Sequence, residues 1–175
     1  DDDGLASNWA AGAQIGDHIR LSGPGGAYRP DLEADWHLFL GDESALPAIA
    51  AALEQLPGNA VGDVIVEVSS AEDEIELLRP DGITLRWLHR DSIPVAPEKL
   101  LAAAVGELDW RPGQVQVFSH GERESMKALR DVLFKQLALE RSQVSLSGYW
   151  ARGRTEERFQ AEKKEPVGRI LPPIG

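Results

Sequence analysis

Apolar and polar positions alternate with two rhythms along most of this chain, and the switches between them mark its elements. Trp36 to Leu40 is a short, nearly continuous apolar run broken at Gly41, the pattern of a strand buried on both faces. Behind it Ala45, Leu46, Ile49, Ala52, Leu53 and Leu56 recur at helical spacing, predicting a helix over 45–56 with Pro47 in its first turn. Asp63 to Val68 alternates as a second strand. A third, Ile83 to Leu88, follows the turn Pro80-Asp81-Gly82. The period then returns to helix over 97–108, with Leu100, Leu101, Val105 and Leu108 inward, and to strand over 114–118. One helix is expected from Arg123 to Leu139, carrying Met126, Leu129, Leu133 and Leu137 on one side with Val132 beside them, before a last strand over 143–150.

Strands alternating with helices of this length predict an α/β fold: an open, mostly parallel five-stranded sheet covered by helices on both faces. The first thirty residues do not follow this rhythm. Ser7 or Asn8 is placed to cap a short helical turn, and "GDHIRLSGPGG" reads as one strand ending in a glycine-proline loop. A lone strand is not stable and needs partners here or in further sequence. The tail after Trp150 is expected to be partly helical and then irregular. The expected divisions are 1–30, 31–153 and 154–175.

Composition and charge narrow the functional classes. The 175 residues are 42% hydrophobic and 27% charged, as in a globular protein, with formal net charge −11. That charge disfavours nucleic acid or an anionic membrane surface as the main partner. No transmembrane segment is expected, there is no basic-then-apolar leader, and a cytoplasmic location fits. Without cysteine there is no disulfide, thiolate nucleophile or iron–sulfur ligation. Residues 1–150 hold twelve Lys and Arg against twenty-five Asp and Glu, whereas residues 151–175 hold six against four. The tail is thus the one relatively basic segment, which a solvated, solubilising role would also explain.

Open parallel sheets bind ligands at the carboxyl ends of their strands, near the switch in strand order. Two expected strand ends carry glycine loops, Gly41 to Ser44 and Ser119 to Glu122, each leading into a helix whose free N–H groups would suit a nucleotide. Asp42 and Glu43 place two negative charges where a phosphate would sit. Asp42 or Ser44 would equally serve as a simple helix cap. Neither G-x-G-x-x-G nor a P-loop is present. His18, His37, His89 and His120 are too scattered for a zinc site, no metal site is expected, and Ser119 lacks the glycines of a nucleophile elbow. The residues alone reach an α/β domain with a possible nucleotide site.

Taken together, ordered segments resemble the C-terminal half of the siderophore-interacting protein family, the flavin-dependent ferric-siderophore reductases. They are "GDESALPAI" (Gly41–Ile49), "LRWLHRD" (Leu85–Asp91), "HGERESMKALR" (His120–Arg130), "SGYWARG" (Ser147–Gly153) and the charged "TEERFQAEK" that follows. The resemblance implies a fold related to ferredoxin–NADP reductases, a flavin-binding antiparallel β-barrel followed by an NAD(P)H-binding α/β domain. Residues 1–30 would be the remnant of the barrel, and the larger part of it would lie in a missing or separate segment. The implied function is NAD(P)H-dependent, FAD-mediated reduction of ferric siderophores to release ferrous iron, in which the flavin, not a catalytic side chain, carries the chemistry.

The resemblance also implies roles for residues. Gly41, Asp42, Glu43, Ser44 and Ala45 would face the nicotinamide or its pyrophosphate, and Gly121 and Glu122 would line the opposite strand end. Ser7 would lie by the FAD pyrophosphate. By position alone, Ser69, Ser70 and Arg90 would meet the adenosine side. Arg152, Arg154, Lys163 and Lys164, beside Trp150, would line the entrance for a polyanionic siderophore on an otherwise acidic body. Two alternatives stay open at this level: a piece that binds nucleotide or siderophore without catalysis, and a general flavin reductase.

Overall fold

The computed structural model describes residues 5–20 and 28–171, with side chains from residue 8 onward. Five strands form one sheet: β1 (Trp36–Asp42), β2 (Val61–Val68), β3 (Gly82–His89), β4 (Val115–Glu122) and β5 (Val144–Trp150). Every adjacent pair is parallel, in the order β3-β2-β1-β4-β5. The chain moves outward from β1 through β2 to β3, then crosses to the other side of β1 for β4 and β5. Strand order therefore reverses between β1 and β4, which opens a crevice beyond their carboxyl ends.

Burial follows position in the sheet. Central β1 is buried at all seven residues, as its continuous apolar run requires, whereas edge strand β3 alternates between covered and open positions. Helix α2 (Leu46–Leu53) packs Leu46, Ile49, Ala52 and Leu53 on one face, over Phe39, Val64, Val66 and Phe118. Helices α3 (Pro97–Gly106) and α4 (Arg123–Asp131) cover the other face, packing Leu100, Leu101, Val105, Met126 and Leu129 against Leu38, Leu40, Ile65 and Val117. Such sorting of helices to both faces is what right-handed crossovers produce when the strand order reverses. Helix α5 (Glu156–Glu162) lies in the C-terminal extension and buries Phe159 and Glu162.

Two expectations need correction. The single helix predicted over 123–139 ends as α-helix at Asp131 and continues as a wider π-turn, Val132–Gln136, with Leu137 N–H bonded to Val132 C=O at 3.0 Å. Consecutive apolar residues Val132, Leu133 and Phe134 all pack against the core, more than one α-helical stripe can present. Ala138, at φ 53°, then ends the segment in the left-handed conformation. The strand expected near residue 16 is likewise absent as far as residue 20, and residues 21–27 lie outside the described residues. Instead α1 (Leu5–Gly12) leads into an irregular stretch in which Trp9, Ile15 and Ile19 are exposed.

Candidate functional site at the switch point

The sequence expectation set Gly41–Ala45 opposite Gly121–Glu122, and these two loops do meet, where β1 and β4 end side by side. A side chain at Gly41 would press within 2.6 Å of the Ala45 methyl group and 3.0 Å of the His120 carbonyl. At Gly121, φ is +154° and a Cβ would come within 2.7 Å of Asp42 Oδ2. Both glycines are therefore needed to bring the loops together.

Asp42 occupies the space so created. It is buried, and its Oδ1 accepts from Ser44 N–H at 3.0 Å and from the Ser44 hydroxyl. Its Oδ2 accepts from Glu122 N–H and from Trp150 Nε1–H, each at 2.8 Å. One carboxylate thus clasps the ends of β1, β4 and β5. Glu122 is internalised in the same way. Its Oε2 caps α4 by accepting from Glu124 N–H at 2.6 Å and Ser125 N–H at 3.1 Å, and its Oε1 accepts from Arg152 N–H at 3.0 Å. Both loops fill their own helix N-termini with protein carboxylates, so Asp42 and Glu122 shape the crevice rather than offering N–H groups to a phosphate.

Glu43 turns toward the β2–β3 side. It accepts from Ser69 N–H at 3.1 Å and pairs with Arg90, whose Nη1 donates to Glu43 Oε2 at 3.0 Å and to Glu67 Oε1 at 3.2 Å. Arg90 Nη2 adds bonds to Ser69 Oγ at 2.7 Å and to Glu43. These bonds hold the guanidinium further toward its charged form. Glu67 has only 3% of its surface exposed, and its Oε2 has no partner. Burial pushes its carboxyl up to about 7, with Arg90 opposing the shift and Asp42 and Glu43 adding to it. Ser70 stays apart, closing a capping box with Asp73 around the turn Ala71–Asp73.

The expected basic entrance is only partly assembled. Glu162, 3% exposed, accepts from Arg123 at 2.6 Å, Arg154 at 2.8 Å and Arg158 at 2.9 Å, and these partners hold it at about 2. Arg154 is thereby committed to the fold. The Arg152 guanidinium sits 5.8 Å from the Trp150 ring centroid, and the Lys163 ammonium sits 4.5 Å from that of Phe159. Lys164 is exposed. Ser7 belongs to α1, but its side chain lies outside the described residues.

Sequence reasoning missed Glu67, Glu162 and the setting of His120. His120 is buried against Phe118, ring centroids 4.0 Å apart, and bonds Tyr149 Oη at 2.8 Å and Ser145 Oγ at 2.9 Å. Burial lowers its pKa to about 4, so the ring is neutral near pH 7. The signal was available for His120, because alternation in β4 places it with Gln116 and Phe118, on the face opposite Val115 and Val117. For the two glutamates no local pattern marks them.

Fold and site define a doubly wound α/β domain whose crevice lies at the reversal of strand order, the arrangement that accepts dinucleotides. The donor set suits such a ligand in part: acidic acceptors and a serine gather at the end of β2, where ribose hydroxyls are read in sheets of this kind. Residues 34–153 match the family model described as siderophore-interacting protein, and residues 1–28 match the siderophore-interacting FAD-binding domain. The chain belongs to the siderophore-interacting protein family. It is 49% identical over 171 residues to an uncharacterized protein of Mycobacterium tuberculosis, covering 93% of this chain and 60% of that protein. It is 38% identical over 157 residues to the ferric vibriobactin reductase ViuB of Vibrio cholerae, covering 89% and 57%. Among solved structures, a siderophore utilization protein from T. fusca superposes with TM-score 0.75 at 38% identity, covering 89% of this chain and 59% of that one. The chain thus spans about 60% of the length of the curated relatives it matches. Among the described residues, no helix is long and apolar enough to cross a membrane.

Proposed function

We propose that the protein reduces ferric siderophores with electrons from NAD(P)H passed through FAD, and that this chain supplies mainly the nicotinamide-nucleotide domain. The reading is carried by the juxtaposition of the Gly41–Ala45 and Gly121–Glu122 loops at the switch point of the sheet, in a family with a relative named as a ferric vibriobactin reductase. When bound, the two cofactors supply hydride and single-electron transfer. The chain's own residues provide shape and position. Asp42 holds the loops closed, Gly41 and buried Ala45 let the end of β1 pack close against β4, and Glu43, Ser69 and Arg90 present a polar edge toward the adenosine side. Arg152, Lys163 and Lys164 supply the positive charge for an anionic ferric chelate beside Trp150, with Arg154 held back by Glu162. Ser7 stands as the expected contact to FAD within residues 1–28. Exposed Trp9, Ile15 and Ile19 in this stretch fit a segment that the rest of a flavin-binding domain covers.

The test uses the full-length protein. Flavin absorbance after purification, together with NAD(P)H-driven release of ferrous iron from a ferric catecholate into a ferrous-specific chelator, is the expected result. Absence of both ends the proposal. Equal rates with free flavins and with the ferric chelate would instead favour a general flavin reductase.

A further inference from the structure

At the ends of β2 and β3 four side chains form a closed unit, on the face of the sheet that α3 covers. Arg90 has all of its terminal N–H donors engaged within the protein: Nη1 with Glu43 and Glu67, Nη2 with Ser69 and Glu43. Two carboxylates thus share one guanidinium. Glu43 is the outward member, its side chain 37% exposed against 17% for Arg90 and 4% for Glu67. Behind them, Glu67 Oε2 has no partner, so this buried carboxyl brings no spare donor to the unit. The other basic side chains near these strand ends also have partners: His89 meets Glu74 at 2.7 Å, Arg86 meets Glu107 at 3.1 Å, and Arg79 donates to the carbonyls of Leu77 and Ile83.

We infer that this unit selects a dinucleotide with a free ribose 2′-hydroxyl, NADH, over one carrying a 2′-phosphate, and that Glu43 is the discriminating residue. The inference rests on the reading that a nicotinamide dinucleotide lies across these strand ends. In doubly wound sheets an acidic side chain near the end of β2 accepts from the ribose 2′-hydroxyl, whereas a 2′-phosphate needs an uncommitted arginine. Among the described residues, the arginine in position, Arg90, is covered by Glu43. A hydroxyl donates to the exposed Glu43 carboxylate without disturbing its bonds to Arg90 and Ser69. A 2′-phosphate has no such option. Reaching Arg90 requires driving Glu43 off, which strips Ser69 N–H of its acceptor and sets the phosphate beside the displaced Glu43 carboxylate.

The experiment compares initial rates of flavin reduction in the full-length protein with NADH and with NADPH, for the parent and for Glu43→Gln. The parent is expected to favour NADH by about tenfold or more in kcat/KM, mostly through KM, a modest figure for a like-charge juxtaposition. Glu43→Gln should shrink that ratio about tenfold by lowering KM for NADPH. A parent that prefers NADPH, or a ratio unchanged in the variant, overturns the inference while leaving the reductase reading intact. Failure to oxidise either dinucleotide overturns the reductase reading itself. Calorimetric titration of the parent with AMP and with 2′-phospho-AMP makes the comparison without any variant. Tighter binding of AMP is expected, and the reverse order refutes the selection.

Discussion

Removing the Asp42 carboxylate should loosen the junction of three strands and leave a measurable deficit in stability. The parent carboxylate accepts from Glu122 N–H, Trp150 Nε1–H, Ser44 N–H and the Ser44 hydroxyl. Asp42→Ala leaves the first three donors unpaired; the Glu122 N–H is fully buried and the others partly so. At roughly 1–3 kcal/mol for each stranded donor, weighted toward the low end where water reaches, the loss is about 4 kcal/mol. Asp42→Asn keeps one acceptor oxygen for Glu122 and Trp150 and lets the Ser44 hydroxyl turn to accept from the new amide. Only the Ser44 N–H is stranded, a loss of about 2 kcal/mol once the lost charge is included. Urea unfolding of the chain gives both values. The indole N–H resonance of Trp150, identified among five tryptophans by its disappearance in Trp150→Phe, reports the bond itself. It should move in Asp42→Ala and stay near its parent position in Asp42→Asn. An alanine variant within about 0.5 kcal/mol of the parent, the size of an ordinary surface change, would refute the clasp.

Gly121→Ala should cost about 3 kcal/mol, because it combines a left-sided backbone angle with a Cβ 2.7 Å from Asp42 Oδ2; circular dichroism during urea unfolding would register the loss. Glu67 has a raised pKa, so its contribution to stability is present below about 4.5 and is lost as pH rises through about 7. In Glu67→Gln this decline, at most about 3 kcal/mol, should vanish, and urea midpoints that still fall in parallel with the parent would contradict the burial of that carboxyl. His120 runs the other way: its folded pKa is lowered from 6.5 to about 4, so its contribution is present above 6.5 and lost as pH falls toward 4. His120→Gln should flatten that acid-side loss in the same midpoint series. Glu162, held at about 2, stabilises above its ordinary carboxylate range and loses that contribution as pH falls toward 2. Glu162→Gln should expose the chain after Gly153 to limited proteolysis at pH 7, and an unchanged digestion pattern would show that α5 is held by other means.

The sheet was legible because burial dictates its pattern. Strands β1 and β4 are central and read as apolar runs, while the helices between them carry three-and-four spacing that survives any detail of packing. The helix over 123–139 was misread beyond Asp131 because periodicity registers which residues are apolar, not that three in succession can all face inward through a wider turn. At the site, the sequence marked the two glycine loops as strand ends, and their opposition was implied by the family resemblance. What the carboxylates do there was not legible, since a capping aspartate and a ligand-facing aspartate look the same in one dimension. Glu67 looked like the polar half of an alternating strand. Its true environment comes from Asp42 beside it in register and from Arg90, 23 residues further on, neither of which is visible in local spacing. Glu162 was hidden in the same way, read as one glutamate among many in a charged tail before three arginines were found to converge on it.

The bond from Trp150 to Asp42 spans 108 positions of the chain, among the longest-range contacts in the molecule. Such a contact forms only after the intervening strands and helices have paid their loop-closure entropy, and it cannot exist on a growing chain until residue 150 has left the ribosome. The crevice is consequently among the last features to be assembled. Any nascent or truncated chain ending before β5 would leave Asp42 without its Trp150 donor and Glu122 without the Arg152 N–H. The crevice is therefore complete only once β5 has been made.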